Sequence, residues 1–309
     1  MPLITVGSLG LDTLETPFER AERVLGGSAA YFALAARLYT DVGIVAAVGD
    51  DFPEQHVELL ASKGIDLTGL QREPGETFFW AGRYHYDLNS RDTLETKLGV
   101  LADFRPRLPD QYKQAPYVFM ANIHPSLQMT VQEQVEDPKL VVLDSMNLWI
   151  ATQKEDLTEA MRRADLVTIN DEEARQYAET PSLLAAARAI MAHGPSGVVV
   201  KKGEHGVLFI SRHGVFGAPA LLLETVKDPT GAGDSFAGGF MGYLAETGDL
   251  SFAGLRRALI HGTAVASFTV ESLGVDRLAT VTRDDVEARY REILEFTTFE
   301  TVALTGANG

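Results

Sequence analysis

The sequence predicts an α/β protein in three layers, a mostly parallel central sheet with helices on both faces, carrying a small β-sheet lid. Three observations carry that reading. Short apolar runs recur at 117–121, 140–144, 165–170 and 197–201, with helix-length segments between them. That is the pattern of parallel strands buried on both faces. One aromatic-rich run, Thr77 to Asp87, fits no such strand–helix–strand unit. Finally, a glycine-rich turn, Asp228-Pro229-Thr230-Gly231-Ala232-Gly233-Asp234-Ser235-Phe236, separates an apolar run from a helix.

Taken in order, Leu3 to Gly7 reads as the first strand. Gly26 to Leu38 is a helix of small residues that could pack closely on a sheet, followed by a strand over Val42 to Val48 and a helix over Pro53 to Lys63. Residues 11–25 and about 70–104 are assigned to the lid, and 1–10, 26–69 and 105–309 to the core. Exposed aromatic strands such as Phe79-Trp80 and Tyr84 suit either covering a site or pairing two subunits; an ordinary half-buried hairpin would look the same. Ala220 to Val226 is expected to be a strand leading into the glycine turn, with a helix opening near Asp234 and another over Leu255 to about Phe268. Thr282-Arg283-Asp284-Asp285 is a capping box with Asp in place of Glu, and places Val286, Tyr290, Ile293 and Leu294 on one face of the last helix.

With 309 residues, 45% hydrophobic and 23% charged, the chain has the core material of one large α/β unit with an insertion. It has no Cys, which excludes disulfides, thiolate metal sites and a thiol nucleophile. The net charge of −16 argues against a general nucleic-acid binder. No run approaches the roughly 20 apolar residues of a membrane span, and the N-terminus lacks the basic flank of a signal peptide, so a cytoplasmic location is expected. The seven His residues show no paired ligand spacing.

The glycine turn is the stretch with chemistry in it. The first turn of a helix offers unpaired N–H groups and the positive end of its dipole to an anion such as a transferring phosphate. Asp234 is a carboxylate placed where that phosphate would be, which suits a base that takes a proton from an attacking hydroxyl. An ordinary helix capped by an Asp, with glycines serving only the turn, would read the same way.

The run Asp228 to Phe240, DPTGAGDSFAGGF, closely resembles the C-terminal signature of the ribokinase-like, or PfkB, carbohydrate kinases. The resemblance implies that Asp234 is the catalytic base and that the amides of Gly231, Ala232 and Gly233 form an anion hole for the γ-phosphate of ATP. Further segments match in chain order. Gly26-Gly27 stands where paired glycines approach the sugar, and Asp12 where an Asp binds substrate hydroxyls. Asn170-Asp171-Glu172-Glu173 matches the Asn-x-x-Glu motif that orders Mg²⁺ through its waters; the same residues also make a good helix cap. Lys201 to Gly206, with Gly203 and Gly206, resembles the turn beside the nucleotide. Asp228, Thr230 and residues 267–272 sit where some relatives bind a monovalent cation such as K⁺.

Two departures bear on the acceptor. Tyr31 stands where ribokinase has a sugar-binding Asn, and Ile123 where it has a sugar-binding Glu; the sheet edge offers Asn122, Asp144 and Asn147 instead. Tyr31 with Phe79, Trp80 and Tyr84 could stack a nucleobase or simply pack. The resemblance therefore implies an ATP- and Mg²⁺-dependent kinase acting on a hydroxyl of a sugar or related small molecule, and a homodimer through the lid is a candidate assembly. A nucleoside kinase and a catalytically silent binding regulator of the same fold are the alternatives. A dinucleotide oxidoreductase would need Gly-x-Gly-x-x-Gly after the first strand, and only Gly7-Ser8-Leu9-Gly10 is present.

Overall fold

A computed structural model describes residues 1–298 and 300. In chain order the strands are β1 (Leu3–Val6), β2 (Gly10–Glu15), β3 (Arg20–Gly26), β4 (Val42–Val48), β5 (Asp66–Arg72), β6 (Phe78–Tyr84) and β7 (Arg91–Lys97). They continue with β8 (Tyr117–Met120), β9 (Leu140–Asp144), β10 (Leu166–Asn170), β11 (Gly197–Lys201), β12 (Val207–Ser211) and β13 (Gly214–Ala218). Two sheets form. The larger has nine strands in the order β13-β12-β11-β10-β9-β8-β1-β4-β5, and the smaller has four in the order β3-β2-β6-β7. The large sheet is parallel except at β12 and β13, which turn back as hairpins.

The apolar runs form its middle because they can be buried on both faces: β1, β4, β8 and β9 are buried at every residue. One core cluster fills the face under the helices Ser28–Ala36, Ala232–Thr247 and Phe252–Thr269, where Phe32 stacks on Phe119 with ring centroids 4.4 Å apart. The other cluster fills the opposite face. Helices on both faces of one sheet make the three layers.

The chain departs from the sequence reading in three places. Residues 220–226 form no strand. β13 ends at Ala218 because Pro219 cannot donate to a ladder, and the apolar residues that follow instead split, with Leu221 buried and Leu222 79% exposed at the rim of a pocket. The division between sheets also falls elsewhere: Gly10 and Gly26 belong to the small sheet, and β5 keeps residues 70–72 in the large one because it pairs with β4 as far as Arg72. In the last helix Val286 and Ile293 are buried while Leu294, one residue on and about 100° around, is 55% exposed.

Among the described residues no helix is long and apolar enough to cross a membrane. The carboxyl ends of β1, β8, β9, β10 and β11 open on one rim, the place where open parallel sheets bind ligands.

Candidate active site

Two of those strand ends carry charge. Asp144 closes β9 and Lys201 closes β11, and the Lys201 ammonium donates to Asp144 Oδ2 at 2.6 Å with both side chains largely buried. Burial disfavours the ammonium, but the charges of Asp144 and Glu173 outweigh it and hold the Lys201 pKa above its usual value. Asn170 ends β10 and caps the next helix: its side chain accepts from Glu173 N at 2.7 Å, and Glu173 accepts from Asn170 N at 2.9 Å. Burial pushes the Glu173 carboxyl up to about 7, with Lys201 pulling back and Asp144 adding to the push.

The glycine turn closes this cluster. Gly231 adopts φ +75°, a left-handed conformation, with its Cα flat against the Tyr31 ring, so that a side chain there would collide with the phenol. The helix Ala232–Thr247 begins at once, with Asp234 in its first turn. A Cβ on Gly233 would stand 3.1 Å from Lys201 Nζ, so the lysine lies directly beside the backbone of the turn. Burial drives the Asp234 carboxyl up to about 7; the Asp144 charge adds to this and Lys201 and Arg91 oppose it. A carboxylate, a cation and a run of helix N-terminal amides thus share one end of the rim.

A second polar group lies on the other side of the turn. Asp12, on β2, is buried, and a side chain on Gly26 would strike its carboxylate, so the paired glycines admit Asp12 rather than face open space. Burial raises Asp12 to about 7, Asp228 and Asp234 add to it, and the Gly27 N–H lowers it. Asp12 Oδ1, the Tyr31 hydroxyl and Asp228 Oδ2 are buried without a hydrogen-bond partner in the protein. Burial first, then the charges of Asp12 and Asp228, push Tyr31 well up, which places its hydroxyl among these carboxylates. Buried polar atoms left unpaired are costly, and water or a bound molecule would satisfy them.

The small sheet supplies a wall. In the parallel pairing of β2 with β6, Trp80 lies opposite Asp12 and Gly82 opposite Leu14, so Trp80 shares the Asp12 face. Trp80 lies over Gly82, whose Cβ would meet the indole. Tyr84, two residues on, accepts a hydrogen bond from Thr230 Oγ1 at 3.0 Å, tying the small sheet to the glycine turn. Beyond the turn is a pocket of about 530 Å³ whose apolar wall includes Leu221, Leu223, Phe236 and Ala266 and whose other end reaches Gly233 and Lys201. Gly203 and Gly206, with φ of +54° and +82°, form its hairpin edge.

Several residues expected at the acceptor serve elsewhere. Asn122 accepts from Trp149 Nε1 at 3.0 Å and donates to Met146 Sδ, so its amide braces the β8 and β9 loops. Asn147 is an exposed first residue of a helix, bonded to its own neighbour Leu148 N. Asp144 is engaged through both oxygens, by Lys201 and by Ser145 N. Tyr31 packs its ring under the turn instead of offering a face, and Phe79 points away from Trp80 to pack on the core. The Lys201–Asp144 pair and Arg91 were not found as partners in the sequence; two opposite charges at the ends of nearby parallel strands were the available signal.

The glycine turn therefore gathers helix N-terminal N–H groups, the Lys201 cation and the Asp234 carboxyl at one end of the rim. The chain belongs to the pfkB family of carbohydrate kinases, whose pattern matches residues 11–281. It is therefore a sugar or nucleoside kinase, transferring phosphate to a hydroxyl. It is 31% identical over 250 residues to a cytidine kinase of Thermococcus kodakarensis, covering 78% of this chain and 87% of that one. Its fold is similar to that of the Methanocaldococcus jannaschii nucleoside kinase, with a TM-score of 0.77 and 22% identity over 94% of this chain and 99% of that one. It is also similar to a Burkholderia thailandensis nucleoside kinase solved with inosine, with a TM-score of 0.76 and 18% identity over 95% and 98% of the two chains.

Proposed function

We propose that this protein phosphorylates a nucleoside, with a pyrimidine nucleoside such as cytidine as the first candidate, using ATP with Mg²⁺. The observation that carries the reading is the shared face of Asp12 and Trp80: the unpaired Oδ1 of Asp12, an acceptor for a ribose hydroxyl, lies beside an indole on which a base can stack. The likeness to the cytidine kinase supports it. The small sheet acts as the lid over the acceptor, and its outer strands, β3 and the fully exposed β7, are the edges a second copy would pair with.

ATP lies with its base in the apolar pocket and its γ-phosphate at Gly231, Ala232 and Gly233. The acceptor hydroxyl lies against Asp234, which takes its proton as the oxygen attacks the γ-phosphorus in line and the bond to the leaving ADP breaks. The turn amides and Lys201 meet the charge that develops on the phosphoryl oxygens. Among the described residues no group of three or more His, Cys, Asp or Glu could cage a metal, so Mg²⁺ would keep most of its waters, with Glu173 and Asn170 holding that shell. When bound, Mg²⁺ neutralises phosphate charge. Lys227 N donates to Val270 O at 2.7 Å and holds residues 227–230 against 267–272, which supports Asp228 and Thr230 as part of a monovalent cation site.

Two results are expected. Replacing Trp80 with Ala raises KM for the nucleoside about tenfold, on the order of the roughly 1–3 kcal/mol of one stacked base, and leaves KM for ATP unchanged. An unchanged nucleoside KM removes the stacking reading. The base must be ionised to act, and Asp234 sits at about 7 rather than 3.8, so kcat/KM falls as pH drops below about 7. Because Asp12 and Glu173 also lie at about 7, the acid limb is steeper than one proton. A flat profile down to pH 5 would contradict the burial of these carboxyls.

A further inference from the structure

A cavity of about 490 Å³ takes no part in the reaction. It sits at the edge of the large sheet, between β13, the outermost strand, and the helices Phe252–Thr269 and Arg283–Thr297. That volume falls in the range of roughly 300–1,000 Å³ in which small ligands are held. Ile260 and Ile293 give it an apolar lining, and Leu294 stands there 55% exposed. The last helix thus presents apolar surface to this hollow as well as to the core.

Two adjacent arginines line the same cavity, and they differ in what they hold. Arg257 is committed: it donates to Asp249 Oδ2 at 2.6 Å and to the Tyr243 hydroxyl at 3.2 Å. Arg256 is exposed and takes part in no ion pair among the described residues; its guanidinium lies over the Phe216 ring, 4.8 Å from the centre. A chain of net charge −16 thus leaves a cation without a counter-charge beside an apolar hollow. Stacking on the ring orients the guanidinium plane and leaves its N–H edge to an oxyanion.

The cavity also shares walls with the active site. Pro219 lines it, and two residues on Leu221 lines the 530 Å³ pocket; Ile260 lines it, and Thr263, three residues along the same helix, lines that pocket too. Tyr290, on its wall, stacks on His261 with ring centroids 4.5 Å apart, and His261 stacks on Tyr243 at 4.2 Å. Tyr243 belongs to the helix whose first turn carries Asp234.

We propose that this cavity is a second, effector site for a nucleoside monophosphate, with the phosphate on Arg256 and the base against the apolar lining, and that its occupancy alters turnover. A guanidinium fork matches phosphate oxygens, and the aliphatic floor suits a flat base better than a bare sugar. A ligand held against Gly217 to Pro219 and Tyr290 bears on the wall of the nucleotide pocket and on the helix of Asp234. The link to turnover rests on the 530 Å³ pocket holding ATP; the binding site itself does not.

The test uses the full-length protein saturated with a non-hydrolysable ATP analogue and Mg²⁺, titrated with AMP by calorimetry and followed by hydrogen exchange. AMP is expected to bind and to slow exchange in residues 214–219 and 290–298. Arg256→Glu weakens it about tenfold or more, the loss of a charge-assisted hydrogen bond. Ala253→Trp, at an exposed position on the cavity wall, fills the space and has the same effect. Both variants keep the wild-type kcat and KM when AMP is absent. At saturating ATP and nucleoside, AMP changes the wild-type rate by roughly twofold or more and leaves both variants unaffected. No AMP binding by the wild type, binding that survives both variants, inorganic phosphate binding as tightly as AMP, or an unchanged wild-type rate each overturns the proposal. Absence of turnover with every nucleoside would instead contradict the acceptor reading, and the binding arm alone would then decide the site.

Discussion

Asp234→Asn is expected to lower turnover about 10²- to 10⁴-fold while nucleotide affinity stays within a few-fold of wild type. The amide keeps the shape of the carboxyl and loses its ability to accept a proton. The same substitution has an opposite effect on stability. The folded-state pKa of Asp234 is about 7 against an ordinary 3.8, so the fold favours the protonated form. That stabilisation is fully present below the ordinary value and is lost as pH rises through about 7. At pH 8 the wild type therefore holds an unfavourable charge that Asn removes, and Asp234→Asn melts higher; at pH 4 the two melt together. Near-normal turnover in the Asn variant would sink the base assignment. Identical melting at both pH values would show that the carboxyl is not disfavoured by its surroundings. A group kept at a cost in stability is characteristic of an active site.

Lys201→Met carries the second large effect, a fall in kcat of about 10²- to 10³-fold, the usual loss when one donor to a developing charge is removed. It also leaves Asp144 buried and ionised with no counter-charge, which costs about 3–5 kcal/mol. The two losses separate in the double variant. Adding Asp144→Asn neutralises the stranded carboxylate and restores the melting temperature, but not turnover, because the cation beside Gly233 is still missing. Recovery of both properties would show that Lys201 serves only Asp144, and that the phosphate is held by the turn amides and metal alone.

The glycine turn was legible because its geometry is local. Gly231, Gly233 and Asp234 lie within four residues, and the left-handed φ of Gly231 and the helix start at Ala232 follow from that short stretch. The buried strands were legible for a similar reason: Val42 to Val48 is apolar throughout and is a strand over the same residues. What the sequence hid is what depends on distant partners. Residues 220–226 are as apolar as a strand, but their neighbour is a pocket rather than a sheet edge, and one-dimensional periodicity cannot tell the two apart. Asp144 looked like a free acceptor until β11 brought Lys201 to it from 57 residues away, and Asn122 until Trp149 claimed its carbonyl. For Tyr31 the sequence leaves stacking and packing open, and only the fold decides: its ring packs against Gly231 and its hydroxyl alone stays unpaired. Arg91 sits in a polar strand that resembles a solvated face, and only its register with Tyr84 puts it on the face that meets the turn.

The most direct measurement of the central claim is ADP release from Mg²⁺·ATP at pH 8 on addition of cytidine, other nucleosides, ribose or deoxyribose, with the product weighed by mass spectrometry. The expected result is turnover with a nucleoside, a product heavier by one phosphoryl group, and no such product with Asp234→Asn. Turnover confined to free sugars would contradict the nucleoside assignment, and equal turnover by the wild type and Asp234→Asn would contradict the site.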